Sequence, residues 1–368
     1  MVNKQYPFYL KATVILFGLV LITYILKGLS DILMPLAFAF IIAILLNPLV
    51  NRFKRNGIGN VFSILIALLI SIVVIAGIAY FLSAQISGLT ENMPVLKARF
   101  QELLHDFQGW VQSTFGIAIN KQMQLISEGL NSSKALIGST LNTALGMLAI
   151  ILLLPVYVFL ILYYKSLALN FLYKVFAQEN ENKVEDILNQ TKTAIQSYMV
   201  GLLLEALVVA VLNTAALLIL GVKYAVLLGV LGAILNILPY IGGLIAIALP
   251  VLMATVTNDG YSTQLWIIVA YLIIQFIDNN ILVPRIVSSK VELNALISII
   301  AVLMGGALWG VGGMFLSIPF AAILKIIFDR IDTLKPWGQL LGNEIPTHYR
   351  SFHFKRSKKR SVAEKIVD

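Results

Sequence analysis

Runs of about 20 consecutive apolar residues recur along most of this 368-residue chain. An α-helix of that length crosses the roughly 30 Å hydrocarbon core of a bilayer at 1.5 Å per residue. The composition agrees, because 59% of the residues are hydrophobic, 12% are charged and the mean hydropathy is +0.89. Such values lie outside the range of soluble globular proteins. The sequence therefore predicts an all-α, polytopic integral membrane protein with the lipid bilayer as its solvent.

Six apolar segments have the length of one span, and two longer segments are interrupted in the middle. The longer ones, 225–257 and 293–328, carry proline and glycine near their centres. They favour broken or re-entrant helical hairpins, in addition to about six full transmembrane helices. The predicted single spans are 8–26, 29–50, 61–83, 140–164, 199–222 and 264–283.

Basic residues orient these spans. Arg52, Lys54 and Arg55 fill one short loop, and a run of lysines and arginines occupies the C-terminal tail, so the positive-inside rule predicts that both are cytoplasmic. The N-terminus is then cytoplasmic too, because two spans precede the first loop. The loop 257–263 has no basic residue and is predicted to be external. With these loops and the tail placed on their predicted sides, the number of crossings between them requires each long segment to enter and leave the membrane on the same side.

The chain divides into five predicted regions. The segment after the third span carries apolar residues at steps of three and four, which indicates an amphipathic helix. This helix either forms a small cap that packs on itself or on a neighbouring subunit, or it lies in the membrane interface. The regions are three N-terminal spans (1–83), this extracytoplasmic segment (84–139), a fourth span with a cytoplasmic linker helix (140–198), a C-terminal transport core (199–328) and a basic cytoplasmic tail (329–368).

The sequence NILPYIGGLIAIALP, residues 236–250, places helix breakers inside an apolar run. Proline lacks a backbone donor and glycine permits backbone angles closed to other residues, so a chain reversal within the membrane is predicted here. The freed backbone groups need protein or water around them, which indicates a polar pathway. Close helix packing or a simple kink is the alternative. The residues predicted at turns and breaks are Asn236, Pro239, Tyr240, Gly242, Gly243, Pro250, Pro284, Arg285, Gly310, Gly312, Gly313 and Pro319.

The second long segment repeats this pattern. YIGGLIAIALP (240–250) and GVGGMFLSIP (310–319) each contain a Gly-Gly pair, an apolar run and a proline. If the match is a true repeat, a span plus hairpin entered from outside (199–257) pairs with a span plus hairpin entered from inside (264–328). Inverted repeats with interrupted helices are typical of secondary transporters.

Two carboxyl groups lie within predicted spans. Glu205 and Asp278 are each about 9 Å from the cytoplasmic end of their helix. An ionised carboxylate at the bilayer centre costs about 3 kcal/mol, so acidic residues within spans are candidate functional residues. Structural roles remain the alternative: Asp278 could pair with Arg285, and Glu205 could reach headgroup water. The proposed repeat does not relate the two. The candidate ion-coupling or substrate residues are Asp278, Gln275, Asn279, Asn280 and Glu205.

Several functional classes lack their sequence signatures. The chain has no cysteine, and its three histidines, His105, His348 and His353, lie outside the predicted spans, so no metal site is predicted. No phosphate-binding loop, metal motif or convincing catalytic triad appears, so neither an enzyme nor an ATP-driven pump is expected, and no cofactor is expected beyond a transported proton or sodium ion. The net charge of +9 resides in loops and tail, which argues against a nucleic-acid partner.

Three segments in order resemble the C-terminal half of the autoinducer-2 exporter family: NILPYIGGLIAIALP, QFIDNNILVPRIVSSKVEL and GGALWGVGGMFLSIPFAAILKII. The resemblance places the family's Gln-x-x-acid and following Pro on Gln275, Asp278 and Pro284. The chain departs from the family in having Asp where Glu is usual, at Asp278, and Ala295 where proline is common. The resemblance implies a bacterial inner-membrane transporter, oligomeric, whose family is linked both to export of the signalling molecule and to sodium/proton exchange.

The favoured function is therefore a secondary active transporter that exports a small polar solute, autoinducer-2-like, driven by a proton or sodium gradient. A sodium or lithium/proton antiporter is the nearest alternative. A membrane scaffold is the alternative from another class. The expected partners are the bilayer, a small polar solute or monovalent cation, and further copies of the chain.

Overall fold

The computed structural model describes residues 7–124, 127, 140–176, 181–238, 242–257, 260–287 and 293–343. The part of the predicted basic tail (329–368) from residue 344 onward lies outside them. Within these residues helices dominate and no strand is present beyond one isolated bridge, which confirms the predicted all-α class. The helices are α1 (Phe8–Gly28), α2 (Ser30–Arg55), α3 (Asn60–Glu91), α4 (Met93–Phe115), α5 (Thr140–Tyr163), α6 (Lys165–Phe176), α7 (Glu181–Ile219), α8 (Ala225–Asn236), α9 (Gly242–Thr257), α10 (Ser262–Ile277), a π-helical segment (Asp278–Val287), α11 (Ala295–Arg330) and α12 (Lys335–Leu341).

Five of these helices are long and apolar enough to cross a membrane: α2, α3, α7, α10 with the π-helical segment, and α11. The pair α5 and α6, bent by 58° at their junction, makes a sixth when counted as one span. The long surfaces of α1 and α3 expose mostly aliphatic side chains, as lipid-facing helices do. The multi-span prediction is therefore confirmed.

Helices α8 and α9 form the first predicted hairpin. They pack antiparallel, since a Cβ on Gly242 would overlap the carbonyl oxygen of Leu235 and a Cβ on Gly232 would lie 3.5 Å from that of Ala246. Glycine at Gly242 is what lets the start of α9 pass so close to the end of α8. The predicted turn residues Pro239 and Tyr240 lie outside the described residues. Pro250 is buried inside α9, so it does not mark a helix break as predicted.

The second hairpin is folded within α11. Gly310 has φ 61° and ψ −143°, and Trp309 before it also leaves the helical region. Gly305 and Gly313 consequently pack backbone to backbone, although eight residues would separate them by about 12 Å along a straight helix. The turn thus lies at Trp309–Gly310. This corrects the predicted turn at Gly312 and Gly313, which instead begin the returning arm.

The returning arm of this hairpin packs along α2. The rings of Phe38 and Phe315 stack at 5.7 Å, and Gly312 approaches the side chains of Met34 and Phe38. Pro319 is buried inside this arm rather than at a break. Small residues let the helices approach closely where the lipid offers no hydrophobic driving force for association.

The tip of the second hairpin is tied to the end of α1. The indole Nε1 of Trp309 donates a hydrogen bond of 2.9 Å to the carbonyl oxygen of Leu26, in the last turns of α1. The first arm, from Ala295 to the turn, is about 21 Å long at 1.5 Å per residue. The turn of this hairpin therefore lies beside the last turns of α1.

We expect Trp309→Phe to lower the free energy of unfolding by about 1 kcal/mol, because the substitution keeps the ring and removes the hydrogen bond to Leu26. Thermal unfolding of the purified protein in detergent measures the effect. Trp266→Phe is the matched control, since the side chain of Trp266 is 57% exposed on α10. Equal melting temperatures for the two variants would show that this bond does not hold the hairpin tip.

The predicted amphipathic segment contains α4. This helix packs against α9, and the side chain of Gln122 donates to the carbonyl oxygen of Gln108 at 3.2 Å, which closes the segment on itself. The Tyr224 hydroxyl also donates to the carbonyl oxygen of Gly88 at 3.2 Å. These contacts favour the packed cap over a helix lying free in the interface.

Helix α7 runs without a break through the predicted boundary at 198–199. Its N-terminal part forms ion pairs with the end of α11, between Asp186 and Arg330 at 2.7 Å and between Lys183 and Asp332 at 3.3 Å. The pairs place these two helix ends on one side of the protein, as the charge distribution predicts. Hydrogen bonds from Lys335 and Lys183 hold the pKa of the exposed Asp332 carboxyl below its usual range.

Candidate functional site

A cavity of about 710 Å³ lies between α7, the α8–α9 hairpin, α10 and α11. Its walls combine aliphatic side chains with polar groups concentrated where helices break. The polar lining residues are Tyr198, Glu205, Asn236, Gln275, Asp278, Asn279 and Ser298. Binding sites for small molecules commonly have this size and this mixture of apolar walls with a few convergent polar groups.

Asp278 lies at the centre of the polar groups and is only 2% exposed. Its Oδ2 accepts a hydrogen bond of 2.9 Å from Nδ2 of Asn236, at the end of α8. It also accepts a longer contact of 3.5 Å from Nε2 of Gln275, one turn earlier on α10. Two amide donors from different helices therefore fix this carboxyl group beside the first hairpin.

The backbone around Asp278 changes from α-helical to π-helical. The π-helical segment Asp278–Val287 contains Pro284, which lacks the backbone donor that an α-helix would need at that position. A π-helical turn accommodates one extra residue per turn and is frequent at functional sites. The change re-aims Asp278 and Asn279 relative to a straight continuation of α10.

The structure brings Glu205 and Asp278 to the same cavity, where their carboxyl groups lie near enough to interact electrostatically. Glu205, on α7, is 6% exposed. The equal depth of the two residues in their helices is the sequence signal for this meeting, and the lack of a symmetry relation does not prevent it. Two neighbouring carboxyl groups cannot both stay ionised at low cost unless a cation binds beside them, and otherwise they retain a proton.

The start of α9 completes this wall of the cavity. A Cβ on Gly243 would lie 2.9 Å from Oε1 of Gln275 and 3.6 Å from Oδ1 of Asn236. The second glycine of the Gly-Gly pair therefore gives the amide groups room at the site. Gly242, the first glycine, serves the packing of the hairpin instead.

The remaining candidates are divided. Asn279 lines the cavity, and Gln275 donates to its Oδ1 at 3.4 Å. Asn280 does not line it, because its side chain bonds the carbonyl oxygen of Phe276 at 2.8 Å. Arg285 is exposed, and within the described residues no ion pair joins it to Asp278, which leaves the structural alternative for that carboxyl without support.

Sequence reasoning missed several lining residues. Leu202 and Tyr198 lie one and two turns before Glu205 on α7, on the same helical face, and the 3.6-residue period could have found them. Ser298 lies near the start of α11, and its place in the cavity depends on how this helix packs against α7. No sequence signal points to Ser298. Among the described residues, no cluster of three or more His, Cys, Asp or Glu side chains could hold a metal.

A sequence model of the AI-2E family transporters matches residues 12–333. The chain belongs to this family of membrane transporters, as its resemblance to the autoinducer-2 exporters predicts. Its relatives include the AI-2 transport protein TqsA of Escherichia coli, 26% identical over 324 residues that cover 87% of this chain and 92% of TqsA. The putative transport protein YueF of Bacillus subtilis is 27% identical, with 82% of this chain and 85% of YueF covered.

A third relative is the putative permease PerM of Escherichia coli, 28% identical over 81% of this chain and 87% of PerM. The family and these relatives support a role in membrane transport for this chain. They also point away from an enzyme.

Proposed function

We propose that this protein is a secondary active transporter that exports a small polar solute, of the autoinducer-2 type, with the energy of an ion gradient. The single observation that carries the proposal is the 710 Å³ cavity, whose polar groups converge at Asp278 where two interrupted helices meet. The relative TqsA is an AI-2 transport protein by name, which supports the solute class.

The solute would bind to the amide and carboxyl groups of this cavity. Gln275, Asn236 and Asn279 offer both donors and acceptors, which suits a solute rich in hydroxyl groups. Apolar residues such as Leu272 and Ile247 form the rest of the wall. The cavity is large enough for such a solute together with water molecules.

Ion coupling would reside in the pair Glu205 and Asp278. A cation that binds beside the Asp278 carboxylate offsets its repulsion with Glu205, so the arrival or departure of the cation changes the free energy of the site. The breaks at Gly242 and at Trp309–Gly310 supply hairpins that can move against the long spans. This arrangement would link occupancy by the ion to access of the solute.

The carboxyl pair also supports a second function, exchange of sodium or lithium for protons. Both functions would operate in the inner membrane of a bacterium, with both termini in the cytoplasm and with several copies of the chain assembled. The predicted cytoplasmic ends of α7 and α11 lie together, which supports this orientation.

Purified protein in liposomes separates the two functions. We expect an imposed proton or sodium gradient to drive accumulation of radiolabelled autoinducer-2, at a rate that rises with the amount of protein in the liposomes. Sodium-evoked proton flux without solute, followed with a pH-sensitive dye, would instead favour the antiporter. Protein-free liposomes are the control. Absence of both fluxes in liposomes that hold folded protein would contradict both functions.

A further inference from the structure

A second, much smaller cavity adjoins Asp278, and Glu205 is not among its lining residues. Its volume of about 10 Å³ holds one water molecule or one ion of similar size. It shares Asn236, Gln275 and Asp278 with the large cavity, so these three side chains separate the two compartments. The other lining residues come from α7, α8, α9 and α10, and they are Val209, Asn213, Gly232, Ala246, Tyr271 and Ile274.

Three buried oxygen atoms of this lining have no hydrogen-bond partner within the described residues. They are Oδ1 of Asn213, the hydroxyl of Tyr271 and Oδ1 of Asp278, on side chains that are 2%, 4% and 2% exposed. Leaving a buried polar group unsatisfied costs about 1–3 kcal/mol. Three such atoms around one small cavity therefore indicate that the cavity has an occupant.

A glycine borders the same small cavity. A Cβ on Gly232 would lie 3.3 Å from the side-chain nitrogen of Asn213 and 3.7 Å from the Tyr271 hydroxyl. The missing side chain of Gly232 thus leaves the space that Asn213 and Tyr271 border. Since α7 and α10 approach one another across α8 at this point, the cavity is built by tertiary packing and not by one helix.

The charge of the lining selects the kind of occupant. Its one charged group is the Asp278 carboxyl, and no lysine or arginine is among the lining residues. The unpartnered atoms are all oxygens, which are the ligands of hard cations. A divalent ion such as calcium takes six to eight oxygen ligands, commonly with several carboxylates. The set therefore suits a single monovalent cation.

We propose that Asn213, Tyr271 and Asp278 form a binding site for one dehydrated monovalent cation of the size of sodium or lithium. The proposal deepens the proposed function, because it rests on ion-coupled transport and names the coupling ion and its ligands. Asp278 binds the cation through its Oδ1 atom, while its Oδ2 atom accepts hydrogen bonds from the amides of Asn236 and Gln275. The same carboxyl group thereby joins the cation site to the solute cavity.

The test is binding of ²²Na⁺ to the purified protein in detergent, without any transport measurement. We expect saturable binding that lithium displaces and that choline chloride at equal ionic strength does not. Tyr271→Phe removes one oxygen atom and should weaken sodium binding about tenfold, as loss of one bond to a charged partner does. Gly232→Ala places a methyl group in the cavity and should weaken binding by at least as much.

Two matched controls are available at the start of α10, at Tyr261 just before the helix and at Gln264 within it. Tyr261→Phe removes a hydroxyl from a side chain that is 79% exposed, and Gln264→Leu removes a buried, unpartnered oxygen that does not line the cavity. Both controls should leave sodium binding unchanged. Thermal melting in choline chloride identifies any variant that is merely unfolded.

Lack of saturable sodium binding by the folded wild-type protein would overturn the cation site and leave a water molecule as the occupant. Unchanged binding in both Tyr271→Phe and Gly232→Ala would overturn it as well. If the protein binds sodium but transports no solute, that result would contradict the proposed solute export and would leave the cation site standing. The two hypotheses therefore fail through different measurements.

Discussion

Asp278→Asn should reduce gradient-driven transport in proteoliposomes by about 10- to 100-fold. The asparagine keeps an oxygen that can accept from Asn236 and Gln275, so the geometry of the cavity is preserved while the charge is lost. An interaction with a charged partner in a buried site contributes about 1.5–3 kcal/mol, which corresponds to that range in rate. The measurement is the initial rate of solute or sodium-evoked proton flux at equal protein content.

Asp31→Asn is the matched control, because it makes the same chemical change at an exposed position in the first turn of α2. Its transport rate should equal that of the wild-type protein. Asp278→Glu should recover part of the activity, since it restores the carboxylate that the family usually carries there. A folded Asp278→Asn variant with an unchanged rate would remove Asp278 from the mechanism.

Gly305→Ala should destabilise the second hairpin by about 3 kcal/mol or more. A Cβ at Gly305 would overlap the backbone carbonyl of Gly313, which cannot move without separating the two arms. The neighbouring substitution Gly306→Ala meets only the flexible end of Met314, at 2.7 Å from its Cε, and is the matched control. Thermal unfolding in detergent compares the two variants.

We expect a lower melting temperature, or loss of folded protein, for Gly305→Ala alone. If α11 were a straight helix through residues 305–313, neither alanine would meet the other arm, and both would be tolerated or slightly stabilising because alanine favours helix over glycine. Equal stability of the two variants would therefore contradict the fold-back at Trp309–Gly310.

The reversals in the chain could be predicted because their cause is local. Proline and paired glycines within an apolar run are unfavourable in a continuous helix, and the loop charges required same-side excursions. The position of the second turn could not be predicted as well. Several glycines between Gly305 and Gly313 could all have adopted the turn, and the packing of Gly305 against Gly313 selects Gly310.

The candidate site was predicted in part. Asp278 and Glu205 stood out because carboxyl groups are costly at their depth in the membrane. Their equal distance from the helix ends could be calculated from the sequence, but the rotation of α7 and α10 about their axes, which decides where the two side chains point, depends on how these helices pack. The π-helical segment changes these side-chain directions further, and Asn279 lines the cavity while Asn280 does not.

The sequence by itself determined that this chain is a bundle of membrane helices with two reversals and a few buried polar residues. Hydrophobic length, loop charge and helix breakers act over short stretches, so each can be interpreted from neighbouring residues alone. Only the tertiary structure decided that Glu205, Asp278, Asn213 and Tyr271 meet around two adjoining cavities. Such meetings depend on the rotation and closeness of helices distant in sequence, which interhelical packing at Gly232, Gly243 and Gly305 sets.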